Sequence, residues 1–257
     1  MALVHALRAA EREAWIWARL WRSTTFSTFV APVLVLIALG VGLGGLVEQD
    51  PDRLDGLTYL DFMVPGLLVA SAVQAVAGFQ LWPVMAGHRW LGFHHAQVST
   101  PIAPDDIFVG HTMFAVGRSA LQATSFLLAG ALLGGVASWW GVAAVPVAAL
   151  TAAAFATPLA AYASHAETDA WFDVIMRMVV APLYLFSGTL FSVEQLPVGL
   201  RVATQLFPMY HGVELARMST TGGLDGGAAI VHLAVLLVWT GVGARLGVAA
   251  FRRRLGS

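Results

Sequence analysis

The sequence predicts an all-α membrane protein with six transmembrane helices and an amphipathic helix at the N-terminus. Three observations support this fold class: the composition, the spacing of the apolar segments and the distribution of arginine. Of the 257 residues, 58% are hydrophobic and only 11% are charged, against about 25% charged residues in an ordinary soluble domain. The mean hydropathy is +0.74. We therefore expect one multi-pass membrane domain without an added soluble domain of ordinary size.

Six apolar segments are long enough to cross the hydrocarbon core, which takes about 20 residues of helix. The uncharged stretch between Ser119 and Ala166 is too long for one span, and Gly134-Gly135 with the following tryptophan pair divides it. The predicted spans cover about 26–47, 62–86, 107–133, 142–165, 170–193 and 226–250. Residues 1–25 form the N-terminal interfacial helix, and residues 26–257 form the membrane domain.

The distribution of arginine predicts the orientation of the chain in the membrane, because basic residues concentrate on the cytoplasmic side. An even number of spans places both termini on one side. If that side is cytoplasmic, the inner segments hold Arg8, Arg12, Arg19, Arg22, Arg89, Arg252, Arg253 and Arg254. The outer segments then hold only Arg53, Arg201 and Arg217. We therefore predict cytoplasmic termini.

The N-terminal helix is predicted from its charge pattern. At the helical repeat, Arg8, Arg12, Arg19 and Arg22 fall within an arc of roughly 80°. The opposite arc carries Leu3, Leu7, Ala10, Ala14, Trp17 and Trp21. Such a helix should lie along the cytoplasmic membrane surface and lead into the first span. It could serve only as a positively charged anchor, or it could also contact a cytoplasmic partner.

The loop between spans two and three, "AGHRWLGFHHAQVSTPIAPDD", predicts a short amphipathic helix facing the cytosol. Trp90, Leu91 and Phe93 are apolar anchors, and the polar positions are His88, Arg89, His94 and His95. Pro101 and Pro104 should end this helix, and Asp105-Asp106 can cap the next one. We interpret the loop as a docking element; the alternative is an ordinary interfacial loop.

Several kinds of chemistry are excluded or disfavoured. Without cysteine there is no disulfide or thiolate metal site, and without lysine there is no GxxxxGK[ST] phosphate loop. A net charge of −1 gives no reason to expect nucleic acid. The chain also lacks the GxSxG and HExxH motifs.

Polar residues inside the predicted spans are candidate functional positions. Arg118 lies deep in span three and should have a partner or face a hydrated cavity. Asp173 and Arg177 are four residues apart in span five, so we expect them to pair. His111 and His232 are interpreted as structural, with a ligand or substrate-path role as the alternative.

The segment "FSGTLFSVEQLPVGLRVATQLFP" at 186–208 interrupts an apolar run with small, acidic and proline residues. Irregular backbone at membrane depth is tolerated where protein or water satisfies its polar groups. We therefore predict an external re-entrant or interfacial element, with a short helix over Val198–Phe207. As an exit gate it would involve Ser187, Gly188, Thr189, Glu194, Pro197 and Pro208.

This arrangement resembles the membrane subunits of type-2 ATP-binding-cassette (ABC) exporters, in particular nodulation-factor exporter and daunorubicin-resistance permeases. The similarity extends over nearly the whole chain and is strongest in "FSGTLFSVEQLPVGLRVATQLFPMYHGVELAR". "APVLVLIALGVGLGGL", "YLDFMVPGLLV" and "STPIAPDDIFVGH" are similar to the first two spans and to the end of the coupling loop. The chain departs from the pattern at Gly110-His111 and at His94-His95, where the family has more acidic character.

The resemblance implies a bacterial cytoplasmic-membrane permease that carries no cofactor and catalyses no reaction. ATP and Mg would bind to a separate cytoplasmic ATPase, present in two copies. A second permease, identical or homologous, would complete the transport path across the lipid bilayer. The N-terminal helix and the 87–100 helix would face the ATPase. The substrate would be an amphiphile: a hydrophobic drug or antibiotic, a lipid or glycolipid, or alternatively a polysaccharide or lipo-oligosaccharide.

Two alternatives from other classes remain. One is a membrane-embedded enzyme or haem protein using His94, His111, His165 or His232. The other is a regulatory permease that signals without transporting a substrate.

Overall fold

The computed structural model describes residues 2–20, 22, 26–42 and 57–256. Within these ranges, every regular element is a helix. Some of the helices contain a tighter or wider turn. In chain order they are α1 Ala2–Arg19, α2 26–41, α3 Tyr59–Trp90, α4 Phe93–Val98, α5 Pro104–Leu132, α6 Trp139–His165, α7 172–186, α8 Val198–Gln205, α9 Pro208–Thr221 and α10 Gly226–Leu255.

Three of the described helices, α3, α6 and α10, are long and apolar enough to cross a membrane. A shorter apolar helix covers Thr28–Gly40 within α2. Helix α5 has 29 residues, but Asp105, Asp106 and Arg118 make it less apolar. Each of the six predicted spans contains a helix, although residues 43–47 of the first span lie outside the described residues. Three of these helices have the length and composition of a membrane span.

The helices differ in extent from several of the predicted spans. The fifth segment ends as a helix at Phe186, not at 193, because the backbone turns at Ser187 and Gly188. The second continues to Trp90, and the last continues to Leu255. The helix predicted over Val198–Phe207 ends at Gln205. Helix α9 was not predicted at all.

Side-chain caps explain where the long helices begin. The Thr58 hydroxyl accepts the backbone N–H of Asp61 at 3.2 Å at the start of α3. The Asp106 carboxylate accepts the N–H of Ala103 at 3.2 Å, just before Pro104 opens α5. The Asp225 carboxylate accepts the N–H of Gly227 at 2.9 Å at the start of α10. Asp106 therefore fulfils the predicted capping role.

Helix α3 lies at the centre of the bundle and is buried along most of its length. It packs against α5, α6 and α9, while α10 covers α6 from outside. One apolar core surrounds Met63, Leu67 and Met209 near the end of the bundle where α3 begins, labelled the outer end after the predicted orientation. A second core surrounds Met85 and Phe251 near the opposite end, labelled the inner end in the same way. The exposed apolar side chains of α2, α7 and α10 form the outer surface of the bundle.

Candidate functional site

At the inner end of the bundle, α1 packs closely along α5. A Cβ atom added to Gly110 would lie only 2.3 Å from the backbone oxygen of Ala6, so this close approach requires glycine. Ala6 and Ala9 are buried in the contact, while Leu7 remains 52% exposed. The buried face of α1 therefore consists of small residues together with Glu13. It is not the apolar arc that the sequence predicts.

Glu13 provides the polar connection between α1 and α5. Its carboxylate is 3.0 Å from Arg12 Nη1 and 3.8 Å from Nδ1 of the buried His111. Burial alone would raise the pKa of Glu13, but the neighbouring His111 and Arg12 groups outweigh it and lower the pKa. An acidic side chain of α1 therefore lies beside His111 of α5.

Arg12 also joins α1 to the short helix α4. Its guanidinium carbon lies 3.4 Å from the centre of the Phe93 ring, a cation–π contact. His5 Nδ1 lies 3.6 Å from the Asp106 carboxylate at the start of α5. Helices α1, α4 and the beginning of α5 therefore form one packed unit, which we call the inner platform.

The coupling residues predicted in the loop separate into surface and buried groups. Arg89, Trp90 and His95 are exposed, and Arg89 Nη2 lies 3.7 Å from Glu167. Phe93 is half-buried beneath Arg12. The prediction of a surface role for His94 is wrong, because its side chain is only 1% exposed.

His94 lies inside a histidine cluster that sequence reasoning missed. Its ring meets that of His88 edge-on, with centroids 4.6 Å apart, and lies 6.2 Å from His111. A Cβ atom added to Gly87 would lie 2.2 Å from His94 Cε1, so Gly87 makes room for the ring. Burial lowers the pKa of His94. The His94 ring is therefore neutral and packs between α4 and the end of α3.

The four histidines of the enzyme alternative do not form one site, although His94 and His111 lie near each other. His165 Nδ1 lies 3.0 Å from the Ala161 oxygen on its own helix, and His232 pairs with His211 near the outer end. Across the described residues, no group of three or more His, Cys, Asp or Glu side chains could hold a metal ion.

The C-terminal end of α10 is joined to the same inner region. Arg252 donates from Nε to Asp105 Oδ1 at 2.6 Å, and its Nη2 contacts the other carboxylate oxygen. This is a paired, fork-like contact between a guanidinium and a carboxylate. Asp105, predicted as a helix cap, instead ties the last helix to the beginning of α5.

At the outer end, the break at 187–189 folds back against α3. Ser187, Gly188 and Thr189 are buried, and Gly188 has a φ of +83°. A Cβ atom added to Gly66 of α3 would lie 2.6 Å from the Thr189 Cα. The small residues of both segments therefore allow the two backbones to touch.

Arg217 of the unpredicted helix α9 stabilises this break. Its guanidinium donates to the Gly188 carbonyl and pairs with Glu214. The same group lies 4.0 Å from the centre of the Phe62 ring. Sequence reasoning missed Glu214 and Arg217 because α9 was missed, although a proline at its first position and Gly222 after its end are helix signals.

Glu194, Pro197 and Pro208 mark successive turns. Glu194 lies in a single helical turn, and its carbonyl accepts a hydrogen bond from Arg201. Pro197 precedes α8. Pro208 is the first residue of α9, so the prediction that it closes the external element is corrected: it opens a second, longer helix.

A histidine pair joins α9 to α10. His211 Nε2 lies 2.9 Å from the Gln205 carbonyl, which can only accept, so this nitrogen carries the proton. His211 Nδ1 therefore accepts from Nδ1 of His232, 2.7 Å away. Burial lowers the pKa of His211, which favours this neutral form.

The remaining predicted positions are placed as follows. Arg8 is exposed and lies 3.1 Å from Glu11, Arg19 is exposed, and Trp17 is half-buried against α5. Trp21 lies outside the described residues.

Asp173 and Arg177, both described, are exposed and form no ion pair with each other, so their predicted pairing is wrong. Arg118 is half-buried and lies over the Phe79 ring at 5.0 Å.

Comparison with known proteins identifies the family. The ABC2_membrane family, described as "ABC-2 type transporter", matches residues 7–220. Nodulation protein J of Rhizobium leguminosarum bv. viciae is 28% identical over 240 residues, covering 93% of this chain and 90% of the relative. Nodulation protein J of Sinorhizobium fredii is 28% identical over 253 residues, covering 94% of each. That of Bradyrhizobium diazoefficiens is 29% identical over 245 residues, covering 91% and 89%.

The matched residues run from Leu7 in α1 to Thr220 in α9, so they include most of the inner platform, the outer break and Arg217. This confirms the resemblance inferred from the sequence. The chain belongs to the ABC-2 type transporter family, whose members are the membrane subunits of ABC transporters.

Proposed function

We propose that this chain is the permease subunit of an exporter that moves an amphiphilic substrate outward across the bacterial cytoplasmic membrane. Its energy would come from a separate cytoplasmic ATPase that binds ATP and Mg. Family membership supports the transport role. The observation that carries the coupling role is the inner platform, where α1, α4 and α5 are packed into one unit beside an exposed surface.

The proposed topology has six spans and cytoplasmic termini. The Arg252–Asp105 contact places the end of α10 beside the beginning of α5. The inner platform lies at this same end of the bundle, and Arg253 and Arg254 follow there. Arginine on this side agrees with the positive-inside rule. Helices α8 and α9 would then lie on the external side.

The ATPase-facing surface would consist of residues that the platform leaves uncovered. Trp90 and Leu91 are 52% and 73% exposed at the tip between α3 and α4. Exposed aromatic side chains are typical anchors of protein interfaces. Because Phe93 and Arg12 connect this tip to α1, a push on the tip would be transmitted to α5. We propose two ATPase copies and a second permease, identical or homologous, in the assembled transporter.

The outer break would serve as part of the exit gate. Ser187 and Thr189 have buried hydroxyl oxygens without a hydrogen-bond partner within the described structure, so this segment is only partly satisfied in its present position. Arg217 holds it against α3 through the Gly188 carbonyl. Movement of α9 would therefore release the break.

Co-purification tests the coupling proposal. The chain is expressed with its ATPase, and a double variant Trp90→Ala, Leu91→Ala is compared with Trp139→Ala, which removes an exposed tryptophan near the opposite end. The tip variant should lose most of the bound ATPase, whereas the control should retain it. Full ATPase recovery with the tip variant would contradict the proposal.

Reconstitution of the complex tests the substrate class. Hydrophobic drugs, glycolipids and lipo-oligosaccharides are screened for stimulation of ATP hydrolysis in vesicles. The last class is included because relatives in three rhizobial species are named Nodulation protein J. Stimulation accompanied by substrate movement supports export. Hydrolysis that no amphiphile stimulates favours a regulatory permease instead.

A further inference from the structure

A polar groove surrounds Arg118 between α2, α3 and α5, with Tyr184 of α7 at its edge. Its volume is about 370 Å³, and its polar lining consists of Thr28, Ser71, Gln74, Arg118, Gln122 and Tyr184. Arg118 lies 14 residues after the start of α5, which is about 21 Å along the helix axis. A guanidinium at such a depth needs a compensating group.

The described structure provides Arg118 with little compensation. Its guanidinium carbon lies 5.0 Å from the Phe79 ring centre, and none of the described residues gives it an ion pair or hydrogen bond. Glu13 is already bound by Arg12 at 3.0 Å and lies 3.8 Å from His111. With respect to the described residues, the Arg118 guanidinium therefore faces the groove with its hydrogen-bonding capacity largely unused.

The groove also suits the rest of an amphiphile. Gln74 is exposed and Gln122 is half-buried, so their amides can reach a ligand. Ala31, Val35 and Phe126 give the same groove an apolar wall. The Ser125 hydroxyl fixes α2 to α5 by donating to the Thr28 carbonyl, which keeps this wall in place. A charged head and an aliphatic chain could thus be held side by side.

We infer that the groove binds the anionic group of an amphiphile, a phosphate, sulfate or carboxylate, through the Arg118 guanidinium. The amides of Gln74 and Gln122 would add hydrogen bonds, and α2 would contact the chain. This inference deepens the proposed function, on which it rests, by naming an anionic substrate class. The same chemistry is offered by a transported amphiphile and by an anionic membrane lipid.

Binding measurements in phosphatidylcholine nanodiscs test the inference without the ATPase. Dodecyl phosphate is compared with dodecyl maltoside, which has the same chain and no charge, and empty nanodiscs are subtracted. Wild type should prefer dodecyl phosphate by about tenfold or more, the size expected for a hydrogen-bonded charge. Arg118→Gln should abolish this preference, and Arg118→Lys should retain most of it.

Arg245→Gln is the matched control, because Arg245 is an exposed arginine of α10 outside the groove; it should keep the wild-type preference. Equal binding of both probes to wild type would overturn the inference, as would an unchanged preference in Arg118→Gln. If Arg118→Gln does not fold, the preference of the wild type for dodecyl phosphate and the result with Arg118→Lys decide whether the inference holds.

Nanodiscs containing phosphatidylglycerol distinguish the two sources. Loss of dodecyl phosphate binding there assigns the groove to a membrane lipid, and unchanged binding assigns it to a transported amphiphile. Failure of the proposed function has a different signature. Dodecyl phosphate would still bind through Arg118, but the complex with its ATPase would move no amphiphile.

Discussion

Replacing Gly110 with alanine should push α1 away from α5. The new Cβ would lie 2.3 Å from the Ala6 oxygen and 3.0 Å from the Ala10 nitrogen, both backbone atoms. Backbone cannot rotate out of the way, so α1 must shift as a unit by roughly 1 Å to restore normal contact. Overpacking of this kind costs about 1–3 kcal/mol. The detached fraction of α1 should therefore rise about fivefold to 150-fold.

Cysteine labelling measures this detachment directly, because the chain has no cysteine of its own. Ala9 is 4% exposed in the contact, so Ala9→Cys should react slowly with a water-soluble maleimide. Gly117→Ala is the control on the same helix, since a Cβ there meets nothing within 4 Å. Gly110→Ala should raise the labelling rate by the same factor as the detached fraction of α1, whereas Gly117→Ala should leave the rate unchanged.

Equal labelling rates for Gly110→Ala and Gly117→Ala would refute the packing argument. That result would mean that α1 is not held on α5 by this close contact. It would also remove the mechanical connection between α1 and the rest of the inner platform.

Three other predictions can be checked with standard assays. Cysteines at Arg89 and Gln195, both exposed, should be labelled from opposite sides of sealed vesicles; labelling from one side contradicts the topology. Gly188→Ala should lower the free energy of unfolding by about 1–2 kcal/mol, because the φ of +83° disfavours a side chain. Gly199→Ala should not lower it, because the space around Gly199 is open. The lowered pKa of Glu13 stabilises the folded chain at pH values above the ordinary pKa range of glutamate. Acidification through that range should therefore lower the melting temperature. If the melting temperature of a Glu13→Gln variant depends on pH as that of the wild type does, this contact is not responsible.

The sequence predicted the helical class and the approximate spans because apolar runs and glycine punctuation are local signals. The failures have non-local causes. Glu13 was not singled out, because its partner His111 is distant in sequence and only the folded chain brings the two together. His94 looked like a surface histidine because the pocket made by Gly87 comes from another helix. A single sequence contains no signal for either contact.

The outer region shows a different limit. Pro208 was interpreted as the end of a short element, although proline is also common at the first position of a helix. The mixed polarity of 208–221 conceals α9 in a search for apolar spans, yet Glu214 and Arg217 hold the break through this helix. The Asp173 and Arg177 pairing failed because the correct spacing permits an ion pair without requiring one in exposed side chains.

The central position of α3 has a consequence for how the protein is made. Its neighbours α5, α6 and α9 all follow it in the chain, so α3 is synthesised before the helices that bury it. During that interval it must be stable in lipid by itself, and its apolar residues on every side permit this. Assembly of the outer core is therefore expected to be a late event of biogenesis. A chain truncated before α6 should still insert α3 and leave it exposed to quality-control proteases.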